Sequence, residues 1–335
     1  MWDAGGIHNV QTYEELEVAW AEFNGLDPAG MVVCSSGSSA LHLAATIAPG
    51  QARWPSRPPV AIMPDYTMVA CPRAAAMAGM IPVFMDCGDD LLSTDRDIRE
   101  TNPAFRNTRV FMPVHIYGRQ VDIGIFVGVA RVLGAAVIED MSEIHGVNPH
   151  PDTDAACWSF YLNKIIAGEE GGAVYFRDPE KAILARSLRS MGFTDAHDFM
   201  HVPGGFNYRM SNAHAGLVLC SLRDYPTMLA GRRYNESVYD SLVPLEWQMP
   251  PRAAPWVYDI RLPFPDMVDE VVRAIPGARH GFKPMRMQPE FLEAGYRDTN
   301  AFRMSQQIMY LPLGPEIHKN RICEMVETLK RTIGA

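Results

Sequence analysis

The stretch that decides the fold is Asp154 to Gly172, DAACWSFYLNKIIAGEEGG, with Lys164 at its centre. An apolar, strand-like run from Ala155 to Phe160 leads into a turn that closes on Gly171 and Gly172, and a second apolar run, Ala173 to Phe176, follows. A lysine in such a connection has two readings. It is a solvent-facing lysine between two strands, or it is an amine held in a partly desolvated site to form a Schiff base with a carbonyl compound. The second reading needs a separate anchor for that compound, so the surrounding chain must choose between them.

Upstream, strand and helix signals alternate. Residues 13–24 have helical spacing, and Met31 to Cys34 form a short apolar strand that runs into Ser35, Ser36, Gly37, Ser38 and Ser39 before a helix over Ala40 to Ile47. Then come a strand Val60 to Met63, a helix from about Thr67 to Gly79 with Pro72 in its first turn, and a strand Ile81 to Met85. The pattern repeats with strand Val110 to His115, helix Ile123 to Leu133 and strand Ala136 to Ile138, which ends in Glu139 and Asp140. This alternation specifies an α/β fold with a mainly parallel central sheet flanked by helices. Ligands of such sheets sit beyond the carboxyl ends of the strands, which directs attention to Ser36–Ser39, Asp65–Thr67, His115–Gly118, Asp140–His145 and Ser159–Lys164. Past Gly172, a helix Pro179 to Met191, a loop over 192–206 and a helix from Ser211 to about Tyr239 complete a large domain over 1–243. The proline-rich passage from Pro244 to Pro265 enters a smaller α+β domain over 244–335, with strand Tyr258 to Leu262 and helices near Val268 to Ile275 and Ile322 to Ile333.

Bulk properties narrow the function classes. The 335-residue chain is 47% apolar and has 30 basic against 39 acidic residues, a net charge of −9, so neither a nucleic-acid groove nor an anionic membrane is the expected partner. The sequence MWDAGGIHNV lacks the positive start and apolar run of a signal peptide, and no segment has transmembrane length, which makes the expected location cytoplasmic. Six singly placed cysteines (Cys34, Cys71, Cys87, Cys157, Cys220, Cys323) signal neither a disulfide framework nor a zinc site. The string HDFMH at His197 to His201 imitates a two-histidine metal helix, but Pro203, Gly204 and Gly205 follow at once, so no metal is expected. There is no G-x-G-x-x-G or phosphate-loop sequence.

Near the strand ends the chain collects a lysine, an acid (Asp140), an aromatic (Tyr66) and a hydroxyl-rich anion site (Ser36 to Ser39, with Ser159). Pyridoxal phosphate asks for that set: an amine for its aldehyde, a carboxylate for its pyridine nitrogen, a ring to stack on, and donors for its phosphate. Each residue alone has a plain structural reading, such as a serine helix cap or an acid capping the next helix.

The stretches SSGSSALHLA (35–44), MPDYTMVA (63–70), PVFMD (82–86), PVHIYGRQVD (113–122), VIEDMSEIHG (137–146), SFYLNKIIAGEEGG (159–172), FNYRMSNAHAGL (206–217) and YLPLGP (310–315) come in the order of a known family. From about residue 30 onward the chain resembles the DegT/StrS-type sugar aminotransferases, which are fold-type I PLP enzymes. That resemblance implies that Lys164 binds the cofactor and moves the proton between substrate and cofactor, that Asp140 pairs with the pyridinium nitrogen, and that Tyr66 lies on the ring face. It further implies that Gly37, Ser38, Ser39 and Ser159 hold the phosphate. Asn207 would reach the phosphate of a neighbouring subunit, so that a homodimer shares its active sites, with Arg209 close by. Glu143 stands where the family has glutamine or histidine beside the ring hydroxyl, and the leading segment of relatives is lacking. His115 and Tyr117 are candidates to line the pocket, a satisfied structural histidine being the alternative, and His280, Lys283 and Arg286 are candidates for the acceptor. The implied reaction passes an amino group from glutamate or glutamine, through the pyridoxamine form, to a keto sugar or cyclitol. Its rivals are another PLP reaction, such as elimination or decarboxylation, and a non-catalytic sensor or scaffold.

Overall fold

The computed structural model describes residues 12–49, 58–93, 107–194, 199–293 and 295–334. In chain order the main elements are α1 (Thr12–Phe23), β1 (Met31–Cys34), α2 (Gly37–Ile47), β2 (Val60–Pro64), α3 (Ala70–Met77), β3 (Ile81–Met85), β4 (Thr108–Phe111), α4 (Ile123–Leu133), β5 (Ala136–Asp140), β6 (Ala155–Ser159) and β7 (Gly172–Phe176). They are followed by α5 (Pro179–Arg189), α6 (Asn212–Leu242), β8 (Tyr258–Arg261), α7 (Val268–Ala274), β9 (Arg279–His280), α8 (Asn300–Ser305), β10 (Ile308–Leu311) and α9 (Lys319–Ile333).

The first seven strands form one sheet in the order β1-β7-β6-β5-β4-β2-β3. Pairings β2/β3, β2/β4, β4/β5 and β5/β6 are parallel, whereas β7 runs antiparallel to both its neighbours, β1 and β6. Six strands therefore point one way, and their carboxyl ends share one edge of the sheet. Strands β1, β2, β5 and β6 are buried along their whole length, as continuous apolar runs covered on both faces must be. One face packs against α2 and α3 through Leu41, Leu43, Ala44, Cys71 and Ala75, and the other against α1 through Leu16 and Trp20.

Some boundaries differ from the sequence expectation for identifiable reasons. Helix α2 starts at Gly37, three residues before Ala40, because Ser36 and Ser39 form a capping box: each hydroxyl accepts from the other's backbone N–H. Helix α3 starts at Ala70, after Thr67, with Pro72 in its first turn. Strand β4 ends at Phe111 and not at His115, since Pro113 has no N–H to give the ladder and Ile116–Gly118 turn. In the C-terminal part, β8, β10 and β9 form an antiparallel sheet of three strands, whose core takes Tyr258, Ile260, Met309 and Leu311 together with Ile322, Val326 and Leu329 of α9.

This C-terminal part is fastened to the larger sheet by buried charge. Asp259 accepts from Arg119 at 2.6 and 2.7 Å and from Arg252 at 2.6 and 2.8 Å, and Arg252 also reaches Glu236 at 3.1 Å. These ion pairs hold the Asp259 carboxyl below its ordinary range, although burial alone would raise it. A second fastening lies at the end of β2. The Asp65 carbonyl accepts from the Met285 N–H at 2.8 Å, and Asp65 Oδ1 accepts from the Arg286 N–H at 2.9 Å.

Candidate active site

Beyond the carboxyl ends of β1, β2, β5 and β6 lies a cavity of about 360 Å³, a size that suits a small molecule. Its floor is built by chain reversals at those strand ends. Ser36, Gly37 and Ser38 bring the first turn of α2 to it, where backbone N–H groups and the helix dipole favour an anion. Ser159, at the end of β6, faces that turn. A Cβ on Gly37 would sit 2.7 Å from Ser159 Cβ, so only glycine allows the approach.

From the end of β5 come Asp140, Ser142 and Glu143. Asp140 is buried; its Oδ1 accepts from the Ser142 N–H at 2.9 Å and its Oδ2 from the Cys71 thiol at 2.9 Å. Burial, with Asp140 beside it, pushes the Cys71 thiol well up, so it stays a neutral donor to that carboxylate. Glu143 Oε2 accepts from the Tyr117 N–H at 2.8 Å. Burial also pushes the Glu143 carboxyl up, while Lys164 and that N–H pull it back.

Lys164 reaches the cavity from the turn between β6 and β7. Its side chain is half-buried, but the amine end is desolvated and rests 3.9 Å from the centroid of the Trp256 ring. Desolvation lowers the amine's pKa, and the carboxylates of Glu143 and Asp140 oppose that fall. Trp256 is locked in turn, its indole N–H donating to the Asn163 carbonyl at 2.7 Å. Met68, Leu41, Val114, Phe282 and Tyr310 complete the apolar walls.

The structure thus brings Lys164, Asp140, Glu143, Gly37, Ser38 and Ser159 to one cavity, and it places the other candidates elsewhere. Tyr66 does not line the cavity. It is fully buried behind the wall, its hydroxyl 3.2 Å from that of Tyr117, and Thr67 and Met68 face the cavity in its stead. Tyr117 is likewise enclosed; its hydroxyl accepts from the Phe282 N–H at 3.0 Å and its ring backs Trp256, Phe282 and Tyr310. Ser39 turns its hydroxyl into the capping box and not into the cavity. His115 is a satisfied structural histidine: Nδ1 accepts from the Val121 N–H at 3.1 Å, leaving Nε2 to donate to Glu139 at 3.0 Å. Asn207 and Arg209 are exposed and outside the cavity. His280 pairs with Asp269 at 2.6 Å, Lys283 donates to the Ser305 carbonyl at 3.2 Å and Arg286 lies 3.4 Å from Glu293, so none of the three lines it. His197 falls outside the described residues; His201 donates to the Met191 carbonyl at 3.0 Å. Of the cysteines, Cys34, Cys71, Cys87 and Cys157 are buried, while Cys220 is exposed and Cys323 half-exposed. Sequence reasoning missed Trp256, which carries no local signal, and Met68, which stands just past the stretch Asp65–Thr67 that it singled out.

The residues present fit pyridoxal phosphate. The Thr67 hydroxyl is buried at the cavity wall with only the Cys71 thiol beside it, and that thiol gives its hydrogen to Asp140, so a ligand oxygen or water should satisfy the hydroxyl. The cradle at Gly37 would be filled by any side chain, and an amine, a carboxylate and an anion-binding helix start surround one space.

Comparison with known proteins agrees with this geometry. The GDP-perosamine synthase of Caulobacter vibrioides is 29% identical over 299 residues, spanning 83% of this chain and 78% of that protein. The UDP-N-acetyl-3-dehydro-alpha-D-glucosamine 3-aminotransferase of Acidithiobacillus ferrooxidans is 28% identical over 322 residues, 90% of this chain and 84% of that one. In fold, the chain matches Helicobacter pylori PseC, an aminotransferase involved in the biosynthesis of pseudoaminic acid, with a TM-score of 0.85 at 17% identity, over 97% and 92% of the two chains. The model of the DegT/DnrJ/EryC1/StrS aminotransferase family matches residues 2–330, further toward the N-terminus than the motifs alone reach, and the chain belongs to that family.

Proposed function

We propose that this aminotransferase uses pyridoxal phosphate to pass an amino group from glutamate or glutamine to a keto group on a nucleotide-linked sugar. One observation carries the reading: Lys164 is the sole cationic side chain among the described lining residues of a cavity that also holds Asp140, Ser159 and the start of α2. The named relatives act, by their names, on nucleotide-linked sugars, which supports the acceptor class.

When bound, the cofactor supplies an electron-withdrawing ring that stabilises negative charge on the carbon bearing the transferred nitrogen. Asp140, fixed by Cys71 and the Ser142 N–H, would hold a proton on the ring nitrogen. Gly37, Ser38, Ser159 and Thr67 would bind the phosphate oxygens. Met68 faces the cavity from the element read as carrying the ring contact, so we assign that contact to Met68 and not to the enclosed Tyr66. The Lys164 amine, lowered by desolvation, would take a proton from the substrate carbon and return it on the far side of the transferred nitrogen, two atoms away. Trp256 and Phe282 shield that transfer from water.

A homodimer is part of the proposal. Met68 (52% exposed) and Tyr161 (42%) line the cavity and leave apolar surface open, and Leu162 (62%) follows Tyr161 in the chain, which suits a partner subunit covering it; Asn207 and Arg209 are exposed as well. Among the described residues no helix is long and apolar enough to cross a membrane, and the buried thiols suit a reducing, cytoplasmic setting.

Purified protein supplied with pyridoxal phosphate should take up a visible absorption band that Lys164→Ala abolishes. Glutamate or glutamine should bleach the band with release of the matching keto acid. A colourless wild type would overturn the cofactor assignment, and a coloured protein indifferent to both donors would overturn the transamination.

A further inference from the structure

The cavity sets one lysine against three carboxylates, Asp140, Glu143 and Glu170, and their surroundings differ. Asp140 has both oxygens engaged, by the Cys71 thiol and the Ser142 N–H. Glu170 is exposed at the rim. Glu143 is only 6% exposed; one oxygen accepts from the Tyr117 N–H at 2.8 Å, and the other has no hydrogen bond to any described residue. The Lys164 amine lies 3.9 Å from the Trp256 ring centroid, a face that attracts positive charge. The Lys164 nitrogen therefore rests on a π-face in the same cavity as a buried acid whose second oxygen is free, with no direct ion pair joining the two.

We propose that Glu143 is the charge partner of the Lys164 nitrogen, a carboxylate positioned to keep that nitrogen positively charged while the cofactor is bound to it. The inference rests on the pyridoxal phosphate reading. Glu143 acts through Lys164 and is a positioning residue. Burial makes an isolated charge on either group costly, and each pulls the other back toward its ionised form. The remaining charged groups around Glu143 do not replace it. Asp140, from β5, also acts on Lys164 but less than Glu143 does and is engaged by the Cys71 thiol and the Ser142 N–H, and Asp259, from β8, is neutralised by Arg119 and Arg252. The nearby phenols of Tyr66 and Tyr117 are driven well up by burial, and Tyr310 is raised, so all three stay neutral. Glutamine at this position would keep an acceptor for the Tyr117 N–H and lose the charge, which separates the electrostatic role from the structural one.

The test titrates the visible band of the holoenzyme with pH. In Glu143→Gln the midpoint at which the band loses its protonated form should fall by about one to two pH units. Glu143→Ala should move it in the same direction. A wild type with no band overturns the cofactor reading, and this inference with it. A coloured wild type whose midpoint matches the variants', or lies below them, overturns this inference alone. So does loss of the band in both variants with an unchanged far-UV spectrum, since Glu143 would then be holding the cofactor and not setting a charge.

Discussion

Replacing Asp65 by asparagine tests how the cavity walls are held together. Asp65 is fully buried just past β2's last paired residue, two positions before Thr67, and through the Met285 and Arg286 N–H groups it anchors the segment that carries Phe282. Its Oδ2 has no hydrogen bond and the Arg286 Nε is 4.0 Å away, too far to offset burial, which pushes the carboxyl from 3.8 to about 6. A carboxyl raised in the folded state favours folding below its unfolded pKa and costs stability as pH climbs through the folded one. The whole displacement is worth about 3 kcal/mol, roughly half of it spent by pH 5 and the rest by about pH 8. Asparagine keeps the acceptor for the Arg286 N–H and does not ionise. Asp65→Asn should therefore gain about 1.5 kcal/mol on the wild type between pH 5 and pH 8, or about 2 °C in melting temperature at ~2.1 cal/mol/K per residue. Differential scanning calorimetry of both proteins at the two pH values reads this directly, and taking the difference cancels every other titration. If the variant loses ground as pH rises, the Arg286 charge dominates Asp65 and the reasoning is wrong.

Three further outcomes follow from the geometry. Asp259→Ala strands Arg119 and Arg252 in the interior and should cost about 3–5 kcal/mol in urea unfolding; a loss below ~1 kcal/mol would mean water reaches the pair. Gly37→Ala drives a methyl against Ser159 and should weaken pyridoxal phosphate binding at least about tenfold in a fluorescence titration with the fold retained, and unchanged affinity would remove Gly37 from the phosphate site. Met68→Phe should tighten cofactor binding by supplying a stacking face, and Met68→Ala should weaken it; unchanged affinity in both would remove Met68 from the ring contact.

Much of this was legible in the sequence because period and punctuation agreed. Helix α4 runs over the residues its apolar spacing indicated, fixed by the Asp122 cap and by Gly134 in the left-handed conformation. Strands ending in Asp140 and Ser159 pointed to the cavity edge, since parallel strands deliver their carboxyl ends to one side. What failed was direction. At the end of β2 the sequence shows an aromatic in the right place, yet whether residue 66 or residue 68 faces the cavity depends on how the turn leaves the sheet, where Asp65 is held by partners more than 200 positions away. His115 was ambiguous for the same reason, as its partner Glu139 lies on β5, distant in the chain. Strand β10 and helix α8 were missed because each is too short for a period to show. Trp256 is joined to Lys164 only by the folded chain.

The reversed strand β7 bears on how the site comes into being. Among the described residues strand β1 pairs only with β7, and that pairing waits until Phe176 has left the ribosome, although Cys34 emerged far earlier. At ~5–20 residues per second that interval is on the order of ten seconds or more. During it, the lengths that form β2 to β6 are already available to one another, while the start of α2 has nowhere to dock. The anion-binding corner is therefore the last piece of the sheet to be seated during synthesis, and free pyridoxal phosphate should speed that final closure and leave the earlier strand pairings untouched.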